Sequence, residues 1–178
     1  AERMDERLLA ALAAYIDAHY EAEREVRRLH VDDLRTFAGP RSPSIDLFGA
    51  INGLLKKLED SFSEHLLDLI ERTGRKPSEI YTKAGVTKAH FSKIRTDKKY
   101  HPTKETALAF AIALHLSLDD AQDLLRRAGY ALSHSSESDL IVEFFIVHRK
   151  YNVDQVNLCL AHYGHKPLTN RRESVDSA

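Results

Sequence analysis

The chain of 178 residues has no tryptophan, one methionine, one cysteine, five prolines and seven glycines. A lone thiol, Cys159, cannot close an internal disulfide, so the sequence reads as one from a reducing cytoplasm that must stabilise itself by burying a core. With so little proline and glycine and 43% apolar residues, a chain disordered throughout is excluded. Long apolar runs are also missing. Runs such as Ala107 to Leu114 fall far short of the roughly 20 residues a membrane-spanning helix needs, and no apolar signal segment is recognised. Net charge is lacking too: 26 Lys and Arg face 27 Asp and Glu. Taken alone, that balance speaks against a nucleic-acid partner.

The distribution of charge says more than the total. Residues 1–60 hold 9 basic and 12 acidic side chains, residues 61–130 hold 12 and 9, and residues 131–178 hold 5 and 6. Within the middle segment, Arg75 to Lys104 carries nine basic residues against two acids, Glu79 and Asp97. Such a cluster is either a solvated face or a surface for a polyanion.

Apolar spacing predicts an all-α protein. Leu8, Leu12, Ile16 and Tyr20 form one stripe on a helix from Met4 to Arg28. Pro40, Ser42 and Pro43 then mark a loop, and Ser44 suits the cap of a second helix through Leu47, Ile51, Leu54 and Leu58 towards Asp60. Residues 1–60 thus read as a helical arm. Residues 61–130 read as five short helices. The first is capped by Ser61 or Ser63 and closed by Gly74. Pro77 to Ala84 follows with proline in its first turn and Gly85 at its end, then Lys88 to Thr96 capped by Thr87. Thr103 caps Lys104 to Leu116, which must be buried on most sides, and Ser117 caps Leu118 to Ala128 ahead of Gly129. Residues 131–166 form an extension of two apolar helices, Asp139 to His148 and Val153 to Tyr163. Residues 167–178 have no periodic apolar pattern and read as a disordered tail.

Two short helices joined by Gly85-Val86-Thr87 have the spacing of a helix-turn-helix, whose second helix enters the DNA major groove. The stretch Ser78 to Ile94 resembles the two central helices of the lambda-repressor-like, XRE-type helix-turn-helix family. Pro102 to Leu118 is similar to that family's fourth helix. The resemblance covers residues 62–128 and implies a five-helix DNA-binding core. The whole arrangement also resembles a bacterial group of uncharacterised helix-turn-helix proteins whose helical arm reads like Tyr15-Ile-Asp-Ala-His-Tyr20.

On a helical wheel, Phe91 and Ile94 define the buried direction of Lys88 to Thr96. The opposite side carries Ala89, Ser92, Lys93 and Thr96, with Lys88 flanking it. Small and polar residues there let a backbone approach base edges, and Lys88 and Lys93 can reach guanine or phosphate. Lys76, Lys98, Lys99 and Lys104 lie at helix ends and in the following loop, where they would position phosphates. His90 and Arg95 fall nearer the buried side. The expectation for His90 is packing, and for Arg95 an ion pair with Glu79 or a phosphate contact.

The expected activity is sequence-specific binding of double-stranded DNA in transcriptional regulation, by a homodimer reading two half-sites. The alternative is an adaptor or antitoxin-like module that holds a partner protein through the arm or the C-terminal helices. Pro77, where the family commonly has a glutamine, Tyr81, where it has a small residue, and Asp97, which would repel phosphate, favour the alternative. The apolar stripe of the arm could cover the domain or pair with a second copy, and the acidic arm could fold over the basic face.

Enzymatic chemistry finds little support. Thr73 to Ser78 lacks the glycine spacing of a phosphate loop. Cys159, His162 and His165 are spaced to share a metal, but no fourth ligand is evident. The expectation is a non-enzyme with no cofactor and no metal.

Overall fold

The structure, a computed structural model, describes residues 5–34, 49, 51 and 61–170. The helix expected from Ser44 towards Asp60 lies outside the described residues apart from Gly49 and Ile51, as do residues 171–178 of the expected tail. Among the described residues the protein is all-α. Its helices are α1 (Glu6–Leu34), α2 (Phe62–Arg72), α3 (Pro77–Lys83), α4 (Lys88–Thr96), α5 (Lys104–Ala113), α6 (Leu118–Arg127), α7 (Glu137–Val147) and α8 (Val153–His162). No helix is long and apolar enough to cross a membrane among these residues.

Local chemistry accounts for most boundaries. Ser61 and Glu64 form a reciprocal capping box at the start of α2, satisfying two amides that helix geometry leaves unpaired. Thr87, Thr103 and Ser117 accept from His90, Thr106 and Asp120 amides to open α4, α5 and α6. Ser136 and Asn152 do the same for α7 and α8. Gly85 sits at φ 73° directly after α3, where the left-handed backbone favours glycine. Helix α5 ends earlier than its apolar run suggests, because His115 takes φ 55° and the Leu116 amide turns back to the Ala111 carbonyl at 3.1 Å.

Helix α5 is the centre of the molecule. Thr106 through Ala113 are all buried, and its alanines let neighbouring backbones approach closely. Helices α3, α6 and α8 pack against it, and α2 bridges α3, α4 and α6. Leu66, Ile80, Ile94, Phe110, Leu124 and Phe145 belong to one continuous apolar core. Helix α7, buried from Asp139 to Ile146, joins α6 and α8 to the arm.

The arm docks on α7. Leu12 and Ile16 are buried there, and Tyr15 meets Phe144 edge-on at 5.5 Å. This settles the use of the stripe within one chain: its central residues cover α7, and the described arm lies on the C-terminal extension. Beside the contact, buried Glu143 faces His134, whose Nε2 is 2.8 Å from Oε2 and 3.1 Å from Oε1. Only Oε1 is hydrogen-bonded, and Oε2 has no hydrogen-bond partner among the described residues.

The expected start of the tail, at residue 167, is corrected. Leu168 is 6% exposed, and Asn157 holds this segment twice, accepting from the Leu168 amide at 2.7 Å and donating to the Thr169 carbonyl at 3.3 Å. One leucine suffices to anchor a stretch otherwise too polar to show a pattern.

Candidate nucleic-acid interface

Helices α3 and α4 pack against each other across the turn Gly85-Val86-Thr87. Ile80, Ala84, Val86, Phe91 and Ile94 point into the core. The remaining surface of α4 is open: Lys88, Ala89, Ser92, Lys93, Arg95 and Thr96 are exposed. The structure therefore brings the five groove-facing candidates Lys88, Ala89, Ser92, Lys93 and Thr96 onto one exposed face. The Thr96 hydroxyl donates to the Ser92 carbonyl at 2.8 Å, which keeps that face compact.

The basic rim divides. Lys76, at the N-cap of α3, and Lys98 and Lys99, in the loop after α4, are exposed. Lys104 is a correction: its Nζ lies 2.6 Å from the Asp139 carboxylate, with the two side chains 27% and 6% exposed. Asp139 also accepts from the Ser133 amide at 2.8 Å. A buried carboxylate demands a partner, and Lys104 supplies it, so this lysine ties α5 to α7 rather than offering charge to phosphate.

His90 and Arg95 lie symmetrically about the buried direction of α4, yet their environments differ. The loop after α4 covers the His90 side, where Nε2 and the Tyr100 hydroxyl are 2.7 Å apart. Burial, and then the Lys93 charge, push the His90 pKa down, so the ring favours its neutral form. The Arg95 side is left open. No ion pair joins Arg95 to Glu79 among the described residues. A long side chain at the edge of a buried stripe reaches water by extending its stem, a signal available in the sequence, and Arg95 adds a cation next to Thr96.

Three residues unusual for DNA docking have local explanations. Tyr81 is half-buried and packs against Phe91 with ring centroids 5.0 Å apart, so it fills the seam between α3 and α4. The Asp97 carboxylate accepts from the Lys99 amide at 2.9 Å, closing the turn that presents Lys98 and Lys99. Pro77 opens α3 at a position where its missing N–H costs nothing.

Thr169 and Asn170 escape any sequence pattern, yet they adjoin this surface. The Thr169 hydroxyl donates to the Ala84 carbonyl at 3.0 Å, and Asn170 lines one cavity with Tyr81, Thr87 and Lys88.

Elsewhere, the metal spacing does not assemble. Cys159 is buried, its thiol pKa pushed up by burial, His162 is exposed, and His165 is paired with Glu137 at 2.8 Å. Among the described residues no group of three His, Cys, Asp or Glu could hold a metal ion. Thr73 to Ser78 closes α2 through Gly74 at φ 66° and opens α3, without a preceding strand.

No protein-family model, curated protein or solved structure matches the chain.

Proposed function

We propose that this protein binds duplex DNA sequence-specifically through α4, as a transcriptional regulator with a lambda-repressor-like helix-turn-helix core over residues 61–130. The observation that carries the reading is the exposed face of α4. Small and polar groups (Ala89, Ser92, Thr96) are flanked by Lys88, Lys93 and Arg95 and bordered by Lys76, Lys98 and Lys99. A helix entering the major groove needs this combination: short side chains for close approach, cations for guanine edges, and outlying cations for phosphates. The role is binding without catalysis.

The protein acts as a homodimer in this reading, since two half-sites one helical turn apart, about 34 Å, are read by two copies. The test is salt-dependent retention on random-sequence duplex followed by selection of a preferred site. Retention that falls steeply with salt supports the proposal through counterion release. Absence of retention at low salt refutes it.

The adaptor reading keeps one specific support. Pro77 gives the start of α3 no side-chain donor for a phosphate, whereas Tyr81 and Asp97 are occupied within the fold. A partner protein captured equally by wild type and a Lys88/Lys93 double alanine variant, with no DNA retention, would favour that reading.

A further inference from the structure

The segment after α8 leaves the C-terminal extension and crosses to the turn ahead of α4. Leu168 is buried at 6% exposure, and both polar atoms of the Asn157 amide grip the neighbouring backbone, at 2.7 Å and 3.3 Å. The chain is thus held on both sides of the Leu168–Thr169 peptide. From there the Thr169 hydroxyl donates to the carbonyl of Ala84, the C-cap residue of α3. Carbonyls at a helix end lack an intrahelical donor, and a side-chain donor satisfies one of them.

The fit is close. A Cβ built on Gly85 would collide with Thr169 Oγ1 and stand 3.1 Å from its Cβ. Gly85 therefore answers two demands, the left-handed backbone at φ 73° and the approach of Thr169. Asn170 then emerges exposed into a cavity of about 470 Å³ that it shares with Thr87 and Lys88. Thr87 and Lys88 are the cap and first residue of α4, so the cavity opens where a docked duplex would pass its backbone. A neutral amide suits that place, because Asn side chains commonly donate to phosphate oxygens without reading sequence.

We propose that residues 167–170 form a strap belonging to the DNA-docking surface, in which Thr169 holds the turn ahead of α4 and Asn170 donates to a phosphate beside Lys88. This rests on the DNA reading above. The strap makes Thr169 a positioning residue and Asn170 a contact residue.

The experiment uses the full chain and random-sequence duplex at two salt concentrations. Asn170→Asp places a negative charge beside the phosphate and should weaken binding about tenfold at low salt, less at high salt. Asn170→Lys should strengthen it several-fold. Both changes are at an exposed position, so the melting temperature should stay at the wild-type value. Thr169→Val should weaken binding and also speed amide hydrogen exchange at Val86, Thr87 and Lys88 in the DNA-free protein, while amides in α7 exchange as in wild type. If wild type binds and the Asn170 variants bind equally well, the strap is overturned as a docking element. Tighter binding by Asn170→Asp overturns it too, because it would make the segment a shield. If wild type shows no salt-dependent retention, the DNA reading itself falls and takes the Asn170 contact with it. Unchanged exchange in Thr169→Val refutes the positioning role whichever way the DNA result goes.

Discussion

The ring of His90 and the hydroxyl of Tyr100 are joined across 2.7 Å, coupling the first turn of α4 to the loop that carries Lys98 and Lys99. Two cations outside the helix are thereby placed relative to its exposed side. Tyr100→Phe removes the hydroxyl and should cost about 1 kcal/mol, measured by urea unfolding. Because the His90 pKa lies below the ordinary histidine value, its neutral form is the one the fold favours. Its contribution is present above the ordinary value and is lost as pH falls through the lowered one. An NMR titration in which His90 protonates at the ordinary pH would contradict its packing.

Lys93 flanks the small and polar residues of the exposed face. Lys93→Ala should weaken binding to the selected site by about 1–3 kcal/mol and relax preference at one base position. Equal affinity of wild type and the Lys88/Lys93 double alanine variant would remove α4 from the interface.

Lys99 and Lys104 separate a phosphate contact from an internal ion pair. Lys99→Ala should lower the slope of log affinity against log salt by roughly one, with little effect on stability. Lys104→Met should do the reverse. It leaves the buried Asp139 carboxylate without its cation and should cost about 2 kcal/mol of stability, a buried-pair figure reduced for the partial exposure of the lysine. A changed salt slope for Lys104→Met would return that residue to the interface.

Gly85 and Gly129 share a left-handed backbone, φ 73° and 79°, but not their surroundings. Nothing lies within 4 Å of a Cβ at Gly129, whereas Thr169 occupies that space at Gly85. Gly129→Ala should cost about 1–2 kcal/mol from backbone strain alone. Gly85→Ala should cost about 1 kcal/mol more, since it also displaces the bond to Ala84. Equal melting temperatures for the two variants would mean that Thr169 does not press on the turn.

Tyr15, between the arm and α7, has its pKa pushed up to about 12, first by burial and then by the Glu143 charge. The folded value lies above the ordinary one, so the stabilisation from its protonated form is complete below about pH 10. It is lost as pH rises through about 12. Absorbance titration should show tyrosine ionisation extending to about pH 12, and Tyr15→Phe should remove that late component and flatten the alkaline loss of stability. Ionisation of every tyrosine together near pH 10 would exclude the docked arm.

Local rules reach some of these features and not others. Thr87, Thr103 and Ser117 announce their helices because each precedes a helical run with a side-chain acceptor in place. Gly74, Gly85 and Gly129 mark helix ends because they tolerate positive φ. The end of α5 is hidden, since His115 adopts that conformation without being glycine. The exposed face of α4 follows from periodicity, with Phe91 and Ile94 as reference. What periodicity misses is decided across the fold. Lys104 meets Asp139 from 35 residues away, the covering of His90 but not Arg95 depends on where Tyr100 lands, and Leu168 gains its burial from Asn157 and neighbouring helices.

The bond from Thr169 to Ala84 spans 85 residues of chain, and that separation has a consequence for biosynthesis. A ribosome releases α3 and α4 long before it releases the residue that latches the turn between them. A nascent chain halted after α8 would contain every helix of the proposed docking unit and still lack the latch. Vectorial synthesis thus completes the turn ahead of α4 last, after the helices it joins have had time to pack.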